Sequence, residues 1–185
     1  MTTTIAPPVV LRVLSAEGLR ALLGGDLAAA STLIGAPVPT FFAGEGWLWR
    51  LRLAQIEADP ASAPWYVRAA VTRAERVVVG HAGFHGPPDA DGMVEIGYTV
   101  APALRGRGYG HAIVAALLDE AARESAVRVV RASISPTNAP SLALVGRAGF
   151  MRMGEQWDDE DGLEWIFERP SRAVRSAAPG ATDPR

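Results

Sequence analysis

The segment from residue 93 to residue 124 constrains the fold more than any other part of the chain. A strand-like run, MVEIGYTV, leads through Pro102 into the glycine turn, residues 105–110 (RGRGYG), and then into an apolar helical pattern. Three glycines at alternate positions let the backbone pass close to a bulky anion, because no Cβ stands in the way. The helix that follows would direct its unpaired N–H groups and the positive end of its dipole at the same place. With the charges of Arg105 and Arg107, the sequence predicts a phosphate-binding turn between a strand and a helix.

The spacing within the glycine turn separates it from other phosphate-binding motifs. It lacks the G-x-x-x-x-G-K-[ST] pattern of a P-loop, and its third glycine comes one residue too early for the dinucleotide pattern G-x-G-x-x-G. Arg105, Gly108 and Gly110 resemble the [QR]-x-x-G-x-[GA] signature of the GNAT superfamily of acyltransferases. In that superfamily the turn grips the pyrophosphate of acetyl-CoA.

The resemblance extends from Met93 to Arg169, with four segments in the expected order. The strand E-I-G-Y-x-V-x-P is similar to the family's fourth strand, and the terminal MGEQWDDEDGLEWIFER is similar to its final hairpin. Between them, Asn138 to Ser141 followed by Gly149-Phe150 match N-x-x-[SA]-x(7)-G-F. The chain most resembles the branch that includes ribosomal-protein N-terminal acetyltransferases.

The resemblance implies acetyl-CoA as co-substrate and a site for it at a splayed pair of strands. Backbone groups of Tyr98 and Val100 are expected to pair with the pantetheine arm, and the Val100 N–H to polarise the thioester carbonyl. The side chain of Asn138 caps a helix in one reading and contacts the ligand in another. The expected cofactor-binding residues are Tyr98, Thr99, Val100, Arg105, Gly106, Arg107, Gly108, Tyr109, Gly110 and Asn138.

Glu95 is the predicted general base. Strand alternation places it with Gly97 and Thr99, on the face opposite the apolar residues of the same strand. A carboxylate in the middle of a sheet suits a base that works through water. The alternative is a structural ion pair with an arginine on a neighbouring strand, such as Arg131 or Arg68.

Ser141 is the predicted proton donor to the leaving thiolate, as proposed for some relatives, and its alternative is a plain first-turn position. Many members of the superfamily place a tyrosine seven residues after the asparagine, where this chain has Val145. Tyr98, Tyr109 and water are further proton sources. The missing tyrosine keeps open a second function, that of a non-catalytic acyl-CoA-binding sensor or partner subunit.

The acceptor is expected to be a primary amine, either a peptide N-terminus, an amino acid or a small molecule. With no cysteine in the chain to carry the acyl group, the amine would attack directly in a ternary complex. His85 either lines the acceptor site or is simply solvated. The acidic run at 158–161 is either a solvated turn or an attraction for a cationic amine.

Composition predicts a single soluble domain. The chain has 185 residues, of which 49% are hydrophobic and 21% charged, with a net charge of −2. This balance argues against nucleic acid or an anionic membrane as a partner. The three histidines lack the spacing of a zinc site, so no metal is expected, and a cytoplasmic location follows by default. We expect one acyl-CoA N-acyltransferase domain over residues 8–169 and flexible tails at 1–7 and 170–185. Exposed edge strands near the C-terminus would allow a homodimer.

Periodicity predicts an α/β (α+β) fold. Its mixed, mostly antiparallel sheet would have about seven strands, with about four helices around it and one splayed parallel pair. Residues 26–43 are weakly periodic, with loop character toward their end. The predicted strands are Val9–Leu14, Trp65–Thr72, Arg76–Phe84, Met93–Val100, Arg128–Ser135 and two around Asp161-Gly162. The predicted helices are a Ser15-capped one ending near Leu23, Gly46–Ala58, 108–124 and 139–148.

Overall fold

The computed structural model describes residues 8–160 and 162–172 and contains one seven-stranded sheet. The strands are β1 Val9–Val13, β2 Val67–Thr72, β3 Val78–Phe84, β4 Met93–Val100, β5 Val129–Ile134, β6 Met151–Asp158 and β7 Gly162–Pro170, in the order β1-β2-β3-β4-β5-β7-β6. The α-helices are α1 Ala16–Leu23, α2 Leu27–Ile34, α3 Gly46–Ala58, α4 Tyr109–Arg123 and α5 Ala139–Arg147. Short 3₁₀ helices span Thr40–Glu45, Pro60–Trp65 and Pro102–Leu104.

The sheet is antiparallel except for one pair of strands. β1 to β4 form a meander, and β5 runs parallel to β4 because α4 carries the chain back across the sheet. This confirms the predicted parallel pair. The ladder between these two strands covers only Met93–Glu95 against Val129–Arg131, although both strands continue beyond it. The two strands therefore part after three residues.

Apolar side chains cover both faces of the sheet. On one face α4 packs through Ile113 and Leu117 onto a cluster that includes Val94. On the other face α1, α2 and α3 cover the first strands, with Trp49 at the centre of that cluster. The Trp49 indole N–H donates to the Phe42 carbonyl at 2.6 Å. The sheet is thus held between two helical layers, as a full two-sided core requires.

The predicted start of α1 is confirmed, whereas α2 was missed. The Ser15 hydroxyl accepts from the Gly18 N–H at 3.1 Å, which caps the first helix. α2 lies in the stretch where no clear periodicity was found, because its run of small residues forms no apolar stripe. The capping residues of α2 were the sequence feature that could have predicted it. Asp26 accepts from the Ala29 N–H, and Gly35 ends the helix in a left-handed conformation.

Two strands begin two residues later than predicted. β2 begins at Val67 because the preceding residues form a 3₁₀ helix, and β3 begins at Val78 because Arg76 lies in a turn with a φ of 55°. At the other end of the domain, Ser171 is buried and its hydroxyl donates to the Val127 carbonyl at 2.6 Å. The C-terminal tail was predicted at 170–185, whereas β7 runs to Pro170 and Ser171 packs against the domain. Residues 1–7 and 173–185 and the turn residue Asp161 lie outside the described residues. Within the described part of the chain, no helix is long and apolar enough to span a bilayer.

Leu117→Ala should lower the free energy of unfolding by about 2–5 kcal/mol, because it leaves a cavity beneath α4. Leu117 is fully buried, whereas Leu51 on α3 is 43% exposed, so Leu51→Ala is a matched control with a cost below about 1 kcal/mol. Urea denaturation followed by far-UV circular dichroism measures both variants. Equal losses would contradict the role of Leu117 in holding α4 on the sheet.

Candidate active site

A cleft opens where β4 and β5 part. It has a volume of about 810 Å³ and lies between the second half of β4, the glycine turn, the start of α4, and α5. Its lining residues are Tyr98, Thr99, Val100, Leu104, Arg105, Gly106, Arg107, Gly108, Tyr109, Gly110, His111, Asn138, Pro140, Ser141, Ala143, Leu144 and Arg147. All ten predicted cofactor-binding residues and Ser141 lie in this cleft. Glu95 does not line it.

Two glycines of the turn are needed for different physical reasons. Gly108 precedes α4 with a φ of 84°, a left-handed conformation that L-residues with a side chain rarely adopt. Gly110 lies in the first turn of α4, where an added Cβ would stand 2.8 Å from the Leu144 side chain. The first glycine therefore sets the backbone path, and the second lets α4 and α5 approach each other at the cleft.

The cleft is positively charged. Among the described residues that line it, Arg105, Arg107 and Arg147 are cationic and none is acidic. The first turn of α4 also faces the cleft, and Gly108 gives that helix no side-chain cap. The orphan N–H groups of the first turn are thus left for a ligand. Guanidinium groups and a helix N-terminus together suit a phosphorylated ligand.

One edge of β4 is unpaired along the cleft. The Glu95 carbonyl accepts from the His85 N–H at 2.8 Å, so residue 95 and its alternate neighbours direct their backbone groups to β3. Tyr98 and Val100 direct theirs to the other side, from which β5 has moved away. The exposed side chain of Arg105 donates to the Val100 carbonyl at 3.3 Å. This edge can pair with an extended ligand arm as if it were another strand.

Polar side chains gather at the α5 side of the cleft. Asn138 caps α5, with its side-chain oxygen accepting from the Ser141 N–H at 3.2 Å. The Tyr98 hydroxyl is buried without a hydrogen-bond partner in the described structure. Burial raises the pKa of Tyr98, and the proximity of Ser141 opposes that rise, although the two groups do not reach hydrogen-bond geometry. An orphaned buried hydroxyl beside a serine fits a site that a polar ligand completes.

Glu95 lies on the opposite face of β4, toward α3. The suggested structural partners of Glu95 were wrong, because both arginines are paired elsewhere. Arg131 lies 2.6 Å from Glu168 on β7, and Arg68 lies 2.9 Å from Glu120 on α4. These pairings were unpredictable because they depend on which distant strands and helices become neighbours.

The described partner of Glu95 is a histidine. The imidazole Nδ1 of His85 lies 3.9 Å from the Glu95 Oε1, with 51% of the His85 side chain and 21% of the Glu95 side chain exposed. Burial lowers the pKa of His85, the Glu95 charge raises it and the Arg52 charge lowers it further. His85 therefore lies beside the predicted base, with about half of its side chain still exposed to solvent.

Three other positions at the site differ from expectation or were missed. Val145, where relatives carry a tyrosine, is fully buried in the core beneath α5 and does not line the cleft. Arg147, in the last turn of the same helix, lines the cleft and was not predicted. His111, in the first turn of α4, also lines it. The helical spacing of Arg147 to Ser141 and Leu144, on one side of α5, was the signal that could have found it.

The comparisons with known proteins agree with this geometry. A family model described as an acetyltransferase (GNAT) domain matches residues 19–151. No curated protein matches the chain. Among solved structures, the chain is similar to a GNAT-family acetyltransferase from Bacillus anthracis, with 17% identity, 91% of this chain and 98% of that chain covered, and a TM-score of 0.60.

Two further solved structures share the fold. The ribosomal-protein-S5-alanine acetyltransferase from Vibrio fischeri is 15% identical over 88% of this chain and 93% of its own, with a TM-score of 0.61. Mycobacterium smegmatis RimJ in complex with CoA-disulfide is 18% identical over 89% of this chain and 86% of its own, with a TM-score of 0.59. The matched family model spans most of the chain and includes the glycine turn, so the chain belongs to the GNAT family of acetyltransferases.

Proposed function

We propose that this protein transfers an acetyl group from acetyl-CoA to a primary amine, by direct attack of the amine in a ternary complex. The observation that carries the proposal is the cationic cleft at the parted strands, with a free strand edge on one side and the glycine turn at its mouth. Acetyl-CoA supplies an activated acyl group as a thioester. The residues of this chain have to bind the thioester, hold it in one orientation toward the amine, and accept or donate the protons that move in the reaction.

The binding role is assigned to the cleft residues. The first-turn N–H groups of α4 with Arg105 and Arg107 would hold the pyrophosphate, and Arg147 adds charge at the α5 side. The backbone groups of Tyr98 and Val100 that face away from β3 would pair with the pantetheine arm, which would displace the Arg105 side chain from the Val100 carbonyl. This set fits the ligand because the cleft combines anion binding at one end with an unpaired β-edge along its length.

The proton chemistry is assigned to two sides of β4. A primary ammonium has to lose one proton before it can attack, and Glu95 is the proposed acceptor of that proton. The second N–H proton leaves the nitrogen as the C–N bond forms and the C–S bond breaks, and one proton returns to the thiolate. Ser141, which lines the cleft near the buried Tyr98 hydroxyl, is the proposed donor of that proton. One proton is released overall.

A row of polar side chains continues from Glu95 across the same face of the sheet. On the same face of the sheet, Gln156 donates to Glu164 at 3.0 Å and to Ser133 at 3.4 Å, and the Arg131–Glu168 pair lies next to them. A peptide N-terminus, an amino acid and a small-molecule amine all remain candidate acceptors. Solved neighbours named for ribosomal-protein substrates favour testing N-terminal peptides first.

The direct experiment joins calorimetry of acetyl-CoA binding with a thiol-release assay against pooled peptides, amino acids and small amines. Binding with release that depends on an amine supports acetyl transfer, and dividing the pool identifies the acceptor. Binding without release from any pool would favour an acyl-CoA sensor of the same fold. No binding would overturn the assignment of the cleft.

Gly108→Val should weaken acetyl-CoA binding at least about tenfold, because the side chain strains the left-handed backbone and disturbs the turn that faces the phosphates. Gly25→Val is a matched control, since Gly25 has a φ of 75° and nothing within 4 Å of an added Cβ. It lies in the turn between α1 and α2, away from the cleft. Both variants should lose about 1–2 kcal/mol of stability, and only Gly108→Val should lose affinity in calorimetry. Equal affinity in the two proteins would show that the turn does not hold the ligand.

Glu95→Gln should lower kcat by about 10²–10⁴-fold while leaving acetyl-CoA affinity unchanged, because the amide cannot accept the ammonium proton and Glu95 lies outside the cleft. The control is Glu75→Gln, an exposed carboxylate in the turn before β3. Initial rates at saturating acetyl-CoA together with calorimetry separate the two effects. A variant with wild-type kcat would remove Glu95 from the mechanism.

A further inference from the structure

His85 stands at the end of β3 with its two ring nitrogens in different places along β4. Nδ1 faces Glu95 at 3.9 Å. Nε2 lies over Gly97, where an added Cβ would be only 2.9 Å from it. The imidazole thus reaches from Glu95, the predicted base, to Gly97, the next residue on the same face of β4. Only glycine at position 97 leaves room for the ring in this position.

Glu95 lies some distance from the cleft along β4, and His85 occupies part of the space between them. A strand rises about 3.3 Å per residue, so Gly97 lies about 7 Å beyond Glu95, and Val100 about 10 Å beyond Gly97. An amine that attacks near the Val100 N–H is therefore too far from Glu95 for direct contact. The His85 ring covers the first part of that gap, at the point where β4 and β5 part.

The charges around His85 favour a neutral ring. Arg52 on α3 is buried, donates to the His85 carbonyl at 3.4 Å and has no carboxylate within ion-pair distance in the described structure. Its charge adds to the burial that lowers the pKa of His85, while Glu95 on β4 opposes both. Arg131, opposite Glu95 on β5, is already paired with Glu168. A neutral imidazole has one nitrogen to accept a proton and one N–H to donate, as a relay requires.

We infer that His85 is a proton relay between the acceptor ammonium and Glu95, a role that rests on the proposed acetyl transfer. Water covers the remaining distance along β4: the ammonium N–H bond breaks as the adjacent water takes the proton, the water chain forms an N–H bond at Nε2, and the Nδ1–H bond breaks as an O–H bond forms on Glu95. The ammonium and the carboxylate are both neutralised, and the imidazole ends neutral in its other tautomer. A small rotation of this half-exposed ring shortens the 3.9 Å separation to hydrogen-bond length.

Gly97→Ala tests the relay without touching either reacting group. The methyl group meets the far end of a flexible side chain, so the fold should survive while the ring moves away from β4. We expect kcat to fall at least about tenfold with acetyl-CoA affinity unchanged, and the same for His85→Asn. Gly86→Ala is the matched control, since Gly86 neighbours His85 in sequence and has nothing within 4 Å of an added Cβ. It should retain wild-type turnover.

The double variant separates a relay from a merely structural effect. If Gly97→Ala acts only by displacing the ring, it should cause no further loss of kcat in a His85→Asn background. Losses that multiply in the double variant would overturn the relay, because the glycine would then act on something other than His85. Full turnover in His85→Asn would also overturn it while leaving acetyl transfer intact. Absence of turnover in the wild type would overturn both.

The pKa of His85 gives a readout that does not depend on turnover. Nuclear magnetic resonance titration of the imidazoles in the free protein should place the pKa of His85 below its usual value, and Arg52→Gln should raise it, whereas Glu95→Gln should lower it. His81 is distinguishable because burial lowers its pKa to about 4.

The pH dependence of turnover gives a second readout. The relay needs neutral His85, so kcat should fall as pH falls through the His85 pKa. This acid limb of the pH–rate profile should move to higher pH in Arg52→Gln. An acid limb that stays in place while the His85 pKa moves would contradict the relay.

Discussion

The short ladder between β4 and β5 is the constraint on which the rest of the site depends. Parallel pairing lasts for three residues and then stops, although both strands continue. The parting leaves the Tyr98 and Val100 backbone groups without a neighbouring strand, and such groups are costly to leave unpaired unless water or a ligand takes the place of the strand. The same parting makes room for the first turns of α4 and α5, which bring the glycine turn and Asn138 to the opening.

β4 separates two kinds of chemistry on its two faces. On the side of α4 and α5, the strand offers a free edge beside a cationic cleft, which suits a large anionic ligand. On the side of α3, Glu95 and His85 share a face where Gly97 removes the side chain that would otherwise keep them apart. The groups proposed for binding and for proton transfer are thus held by one strand at fixed spacing, and a side-chain change on one face need not disturb the other.

The parts of the site that sequence predicted are those fixed by local spacing. Arg105 to Gly110 lie together because they are neighbours in the chain, and the crossover through α4 sets the parallel pair by connection length alone. The parts that were missed depend on long-range register. His85 meets Glu95 because β3 pairs with β4 in one register, and Arg131 meets Glu168 because β7 inserts beside β5. No local pattern around these residues specifies their partners.

The burial of Val145 bears on which of two proton transfers needs more help from the protein, deprotonation of the amine or protonation of the thiolate. A thiol has a free pKa of about 8.5, whereas a lysine-like ammonium has one of about 10.4, so near neutral pH the amine needs more help to lose its proton than the thiolate needs to gain one. A buried valine in place of the acid removes assistance at the less demanding step, where Ser141 and the Tyr98 hydroxyl still lie at the cleft. In the proposed mechanism the more demanding step falls on the side where Glu95, His85 and the buried charge of Arg52 are gathered, so variation in rate among acceptors should follow how well each presents its ammonium to that side.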